Sequence, residues 1–339
     1  MPPRDLDKLT RRQSYKGSER ILVRPGIAMI LYSQAELTSV MIAAAEVLQT
    51  YLDFVPHSAI AALYAQPPED DLGGSFLPFD AAARRHLFDS LRAGSLSAGD
   101  AGYGCVLSAT LDGQAGDYGF TLGAVNLESE DVDESETSFL RLQLPWNLLD
   151  KIDVEALVDF LATAAERFPF CCGNAGMSFI HTIAYEVEAR REIQKLLPRF
   201  LGFDSAYDWA KLEMRGKSPP AHWLNFLNSD LLAALGGEAR LRLELDGCTI
   251  KQLGSGLLIR AARFPPVVDV NRRGLDIGRL PVVARVLKPV IYNEAGFIGL
   301  PDEDSGQAWL DRFDDQAPLS WDNGQGTGGD GVSSPNSGR

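Results

Sequence analysis

"RILVRPGIAMILYSQ", residues 20–34, decides how this chain folds. β-branched and aliphatic residues dominate the stretch, so it reads as strand, and the Pro25-Gly26 pair makes it either one strand or a strand pair. Its apolar part, "PGIAMILY", is far shorter than the ~18 residues that cross a bilayer, and it fits a buried strand. From Glu36 onward the period changes. Leu37, Val40, Met41, Ala44, Val47, Leu48 and Tyr51 recur at three and four, which predicts a helix over 35–54.

Working outward, strands fall in hairpin-like clusters between helices. "YGCVLSATLDGQAGDYGFTLGAVNLE" (103–128) reads as a hairpin turning around 112–117, and "FLRLQLPW" (139–146) alternates like a half-buried strand. Residues 176–184 read as a further strand, with Gly173 and Gly176 as a tight turn leading into it. "ARLRLELDGCTIKQLGSGLLIRA" (239–261) reads as two or three antiparallel strands joined at Asp246-Gly247 and Gly254–Gly256. Helices are predicted after the caps Asp80 and Asp153, over 184–200 up to Pro198, in "HWLNFLNSDLLAALGG" (222–237) ahead of its Gly-Gly, and in "LPVVARVLKPVI" (280–291). The implied class is α+β, a mostly antiparallel sheet with helices packed on one side. Residues 1–19 read as a loose lead-in. Residues 20–301 form the folded part, as one domain or as two subdomains meeting near 137–150. The stretch 302–339 is an acidic tail that turns Gly- and Ser-rich from Asn323 and is predicted to be disordered.

Composition narrows the function. The 339 residues are 45% hydrophobic and 23% charged, as in a globular protein, and carry a net charge of −14. Binding to nucleic acid needs cationic surface, so direct nucleic-acid binding is disfavoured and basic protein partners are favoured. The N-terminal residues show no secretory signal pattern, and the expected compartment is the cytoplasm.

Catalytic signatures are scarce. "RFPFCCGNAGMSF" (167–179) places Cys171 beside Cys172, but a vicinal disulfide is strained and no CxxC occurs. The simple reading is a pair of buried thiols. The alternative is a thiol-dependent hydrolase or transferase using Cys171 or Cys172 with His181 or His222 as base. There is no phosphate loop, nucleophile elbow or HExxH pair, and "DEDSG" (302–306) lacks the glutamate of a calcium loop. No cofactor or metal is expected.

The charge concentrates in "ESEDVDESE". Glu128, Glu130, Asp131, Asp133, Glu134 and Glu136 make six acids in nine residues with no base among them. Such a run is either a solvated loop or a contact for a basic surface. Nearby, Trp146 is the candidate aromatic anchor of an interface, with ordinary core packing as its plainer role.

Four landmarks in this order, "RFPFCCGNAGMSF", "HWLNFLNSDLLAALGG", "GLLIRAARFPPVVDVNRRG" (256–274) and "LPVVARVLKP", resemble the type VI secretion immunity protein family over residues 20 to 300. Where the family pattern leads one to expect a glycine before Asp269, this chain has Val268. The resemblance implies an antitoxin-like protein that binds a type VI effector, most often a nuclease, and blocks it without chemistry of its own. It also implies that "CCGNAG" is a packing landmark. A non-toxin adaptor is the remaining alternative.

Overall fold

The computed structural model describes residues 6–15, 17–65, 76–94, 102–130, 132–182, 185–205, 214–272, 276–294 and 300–314. The N-terminal half runs β1 (Arg11–Tyr15), β2 (Ser18–Ser33), α1 (Leu37–Phe54), β3 (Ala62–Ala65), β4 (Leu77–Pro78), α2 (Ala81–Ala93), β5 (Gly102–Ser108), β6 (Gly119–Val125), β7 (Ser138–Pro145) and α3 (Val154–Arg167). It continues with β8 (Cys172–His181), α4 (Glu186–Leu196), β9 (Phe200–Leu201), β10 (Phe203–Ser205), β11 (Leu224–Asn228), α5 (Ser229–Ala234) and α6 (Glu238–Glu244). Last come β12 (Thr249–Leu253), β13 (Gly256–Arg260), β14 (Val268–Asp269), α7 (Leu280–Leu287) and α8 (Glu303–Leu310).

Twelve strands join in one sheet, ordered β12-β13-β11-β8-β2-β7-β6-β5-β3-β4, with β1 beside β2 and β10 beside β8. The β10–β8 pair is parallel and the other strand pairs of this sheet are antiparallel. The opening stretch is its spine. β2 is a single strand of 16 residues that runs straight through Pro25-Gly26. Glycine lets it pass, because a Cβ on Gly26 would stand 2.7 Å from Ile180 Cγ1 on one neighbour and 3.0 Å from the Leu144 carbonyl on the other.

Side chains along a strand alternate between faces, and the sheet uses both. Ile27, Met29 and Leu31 of β2 face one core with Leu140, Leu142 and Leu144 of β7 and Met177 of β8. That core is roofed by α1, α2, α3 and α4, the helix layer expected from the sequence. Tyr32, Cys172, Leu227, Leu257 and Ile259 point the opposite way into a second core. Here a further group of helices, α5, α6 and α7, covers the reverse face. The sequence expected helices on one side alone; the second group sits beneath the C-terminal strands, whose two faces are both apolar.

Three local readings give way for identifiable reasons. Gly173 and Gly176 lie inside β8 with no turn, and glycine is required by close approach: a Cβ would meet the Ile30 carbonyl at 2.4 Å and the His222 ring at 2.1 Å, respectively. "HWLNFLN" is largely strand β11, and only the short α5 precedes the Gly-Gly. In "ARLRLEL" the alternation of leucines is coincidental. Leu241 and Leu245 are buried while Leu243 is 84% exposed, an i, i+4 face that makes α6 a helix. Chain ends also contribute. Leu6 and Leu9 are buried, β1 pairs with β2, and α8 carries the fully buried Trp309. Asp302, the first residue of "DEDSG", caps α8 by accepting the Ser305 N–H at 2.7 Å. The Gly- and Ser-rich stretch after 314 lies outside the described residues.

Candidate functional site

The acidic run forms the connection between β6 and β7, near the middle of the sheet. The strand pair that carries it is fixed from the core side at the end away from the loop, about 20 Å from it at ~3.3 Å per residue. Tyr51 of α1 is fully buried, and its hydroxyl donates to the Gln143 carbonyl at 2.9 Å and accepts the Gly119 N–H at 2.9 Å. Burial pushes this phenol far above its ordinary pKa, so it stays protonated and keeps both bonds. Helix α1 is thereby riveted to both strands that carry the loop. At the mouth, the Ser138 hydroxyl accepts the Val125 N–H at 2.9 Å.

The loop itself is a chain of tight turns. Asn126 accepts the Glu128 N–H on its side chain at 3.2 Å and the Ser129 N–H on its carbonyl at 3.0 Å. Asp133 repeats the device: its carboxylate accepts the Ser135 N–H at 2.8 Å and hydroxyl at 2.6 Å, and its carbonyl accepts the Glu136 N–H at 3.0 Å. The Ser135 hydroxyl and N–H together hold the Asp133 carboxyl below its ordinary pKa. Glu128, Glu130, Asp133 and Glu134 are exposed, and Glu136 is half-buried. Asp131 lies outside the described residues. Glu134 has one cationic neighbour, Arg215, at 3.8 Å, an exposed contact of little energetic weight. The turns therefore hold like charges together on a short, fixed arch, and the arrangement offers a negative field.

Trp146 is not part of that arch. It follows the far end of β7, about 25 Å along the strand from Ser138 at ~3.3 Å per residue. Its side chain is buried, and the indole N–H donates to Asp7 Oδ1 at 2.9 Å, so it ties the N-terminal segment to the sheet.

The thiols meet no base. Cys171 and Cys172 are buried with sulfurs 3.9 Å apart, and burial raises the Cys172 pKa well above the ordinary value. His181 ends the same strand, about 30 Å from Cys172 at ~3.3 Å per residue. His222 lies over Gly176 with both ring nitrogens used. Nδ1 accepts the Trp223 N–H at 2.8 Å, so Nε2 carries the proton and donates to the Met177 carbonyl at 3.0 Å. Burial, with the charge of Arg312, lowers its pKa to about 3. Among the described residues no group of three His, Cys, Asp or Glu side chains could hold a metal ion.

Two charged groupings escaped the reading of the sequence. Asp204, Arg312 and His222 form a buried cluster behind β8. Burial raises the Asp204 carboxyl to about 6 and lowers Arg312 to about 9. Arg312 stacks on Trp309 and Phe313 of its own segment, 3.6 and 4.4 Å from their ring centroids. The other grouping is on α2, where "RRHLFDSLR" places Arg84, Arg85 and Arg92 on one side; the i, i+4, i+8 spacing through Phe88 was the available signal.

The architecture is similar to that of the Pseudomonas aeruginosa T6SS protein PA0821, with a TM-score of 0.73 and 15% sequence identity over 88% of this chain and 84% of that one. A family model described as "TsiV: Type VI immunity for VRR-NUC" matches residues 74–313, and the chain belongs to this family. No curated protein matches the sequence.

Proposed function

We propose that this immunity protein neutralises a nuclease effector by forming a stoichiometric complex with it in the cytoplasm, and that the β6–β7 loop meets a cationic surface of that effector. The observation that carries the reading is the loop: exposed carboxylates held by turns on a strand pair that Tyr51 fixes from the core. A nuclease must attract phosphate, so its substrate surface is basic, and a fixed row of carboxylates is complementary to it. Such inhibition needs no reactive group of the inhibitor.

The test is co-purification with the product of the adjacent gene, using wild type and a variant with Glu130, Asp131, Asp133 and Glu134 changed to lysine. Wild type should form a one-to-one complex that silences a nucleolytic activity, with association slowed as salt rises. The variant should associate at least tenfold more slowly and still show the wild-type circular dichroism. A quadruple variant that protects as well as wild type rules out the loop contact. A neighbour that neither binds nor harms cells removes the immunity reading.

A further inference from the structure

An acidic protein has carboxylates to spare, 46 against 32 lysines and arginines, and several of its helices pair their cations within one turn. On α4 and α6 the pairing is regular: Arg190 with Glu186, Arg240 with Glu244, and Arg242 with Glu238, each one turn apart. Arg191 of α4 and Arg285 of α7 fall outside this pairing, and α2 gathers three such arginines on one helix. Among the described residues Arg84, Arg85 and Arg92 make no ion pair, although Asp89 stands one turn beyond Arg85. The neighbouring amide of Gln49 on α1 is already engaged with Asp53 at 2.7 Å.

These three arginines line a groove of about 270 Å³ between α1 and α2, floored by Phe88. The guanidinium carbons of Arg84 and Arg92 stand 5.7 and 5.1 Å from the Phe88 ring centroid, so the ring steers both groups while their N–H edges stay open. Shape and charge thus coincide: a shallow depression with three guanidinium forks and one carboxylate, Asp89, in its lining.

We infer that this groove binds an acidic segment of a partner protein, its arginines taking carboxylate side chains in fork-like pairs. Guanidinium geometry suits carboxylate and phosphate equally. Two observations favour carboxylate. The site is a shallow, open depression of about 270 Å³ and not an enclosed ligand pocket, which suits side chains of a passing segment. The net charge of −14 repels a long phosphate polymer, whereas a short acidic segment of an otherwise neutral or basic protein is not repelled. The inference rests on the reading of the chain as a protein-binding module and extends it. The acidic loop would seek a basic surface and α2 an acidic one, so a partner presenting both charges in the right register would be selected over one that is merely basic.

The test uses the purified full chain and a fluorescein-labelled hexaglutamate peptide, followed by anisotropy at low and moderate salt. The expected result is saturable binding, weakened at least tenfold in Arg84→Gln/Arg85→Gln/Arg92→Gln and unchanged in a control carrying Arg190→Gln, Arg240→Gln and Arg242→Gln. Circular dichroism should be the same for all three proteins. Absence of saturable binding by wild type overturns the inference, as does equal weakening in the control. Pyrophosphate or a twelve-nucleotide single-stranded DNA that binds through the same arginines at least as tightly as the peptide also overturns it and makes the groove a phosphate site. No effector is needed, so failure to form an effector complex counts against the immunity reading and leaves this result to be judged alone.

Discussion

Replacing Gly176 by alanine would place a methyl group 2.1 Å from Cε1 and 2.2 Å from Nδ1 of His222, where ordinary contact begins near 3.4 Å. The imidazole would have to move by more than 1 Å. It is held by the Trp223 N–H at 2.8 Å and the Met177 carbonyl at 3.0 Å, and both bonds would break in a fully buried setting. Two lost hydrogen bonds cost about 2 kcal/mol, and the overpacking another 1–3, so Gly176→Ala alone should cost about 4 kcal/mol. His222→Ala removes the same two bonds and leaves a partial cavity, about 3 kcal/mol. In the double variant the added methyl enters space the ring has vacated, and the hydrogen bonds are lost only once. Its cost should therefore be about 3 kcal/mol instead of the additive 7 or so. Urea titrations read by the midpoint at constant m would measure this. Additivity within ~0.5 kcal/mol would refute the steric account of why "CCGNAG" carries its second glycine.

Two further outcomes follow from buried groups. Asp204 has a folded pKa of about 6 against an ordinary 3.8, so the folded state holds the proton more tightly. Its carboxylate costs stability above that window, and the cost is relieved as pH falls through it. Relative to Asp204→Asn, wild type should gain about 3 kcal/mol between pH 7 and pH 3.5 in urea titrations, and a pH-independent difference would deny that the charge is buried. Of the four thiols Cys248 alone is partly exposed, so iodoacetamide should label it in the native protein and reach Cys171, Cys172 and Cys105 only on unfolding, as peptide mapping would show. Stoichiometric native labelling of Cys171 would revive a thiol chemistry.

The elements legible in the sequence were those whose cues are local. The three-four spacing of α1, the Asp80 and Asp153 caps and the Asp112-Gly113 turn each depend on a few neighbouring residues, and each is in place. What failed depends on distant partners. Gly176 looked like turn chemistry because the His222 ring that demands it lies far along the chain. α6 looked like a strand until the core chose which leucines to bury. The acidic loop stood out as a run of like charge, whereas the α2 arginines are interleaved with His86, Leu87, Phe88 and Asp89 and meet on one face only once the helix is formed.

The order of the strands also sets a timetable. β2 leaves the ribosome early, but it is flanked in the finished sheet by β7 and β8, whose first residues, Ser138 and Cys172, come more than a hundred positions later. At ~5–20 residues per second, Cys172 is made roughly 7–28 s after Ser33. Until β7 is made, residues 24–33 have both hydrogen-bonding edges open, and until β8 is made one edge stays open, which exposes this stretch to mispairing during synthesis. A cell depending on this protein for protection gains it only after that delay, for every molecule it makes.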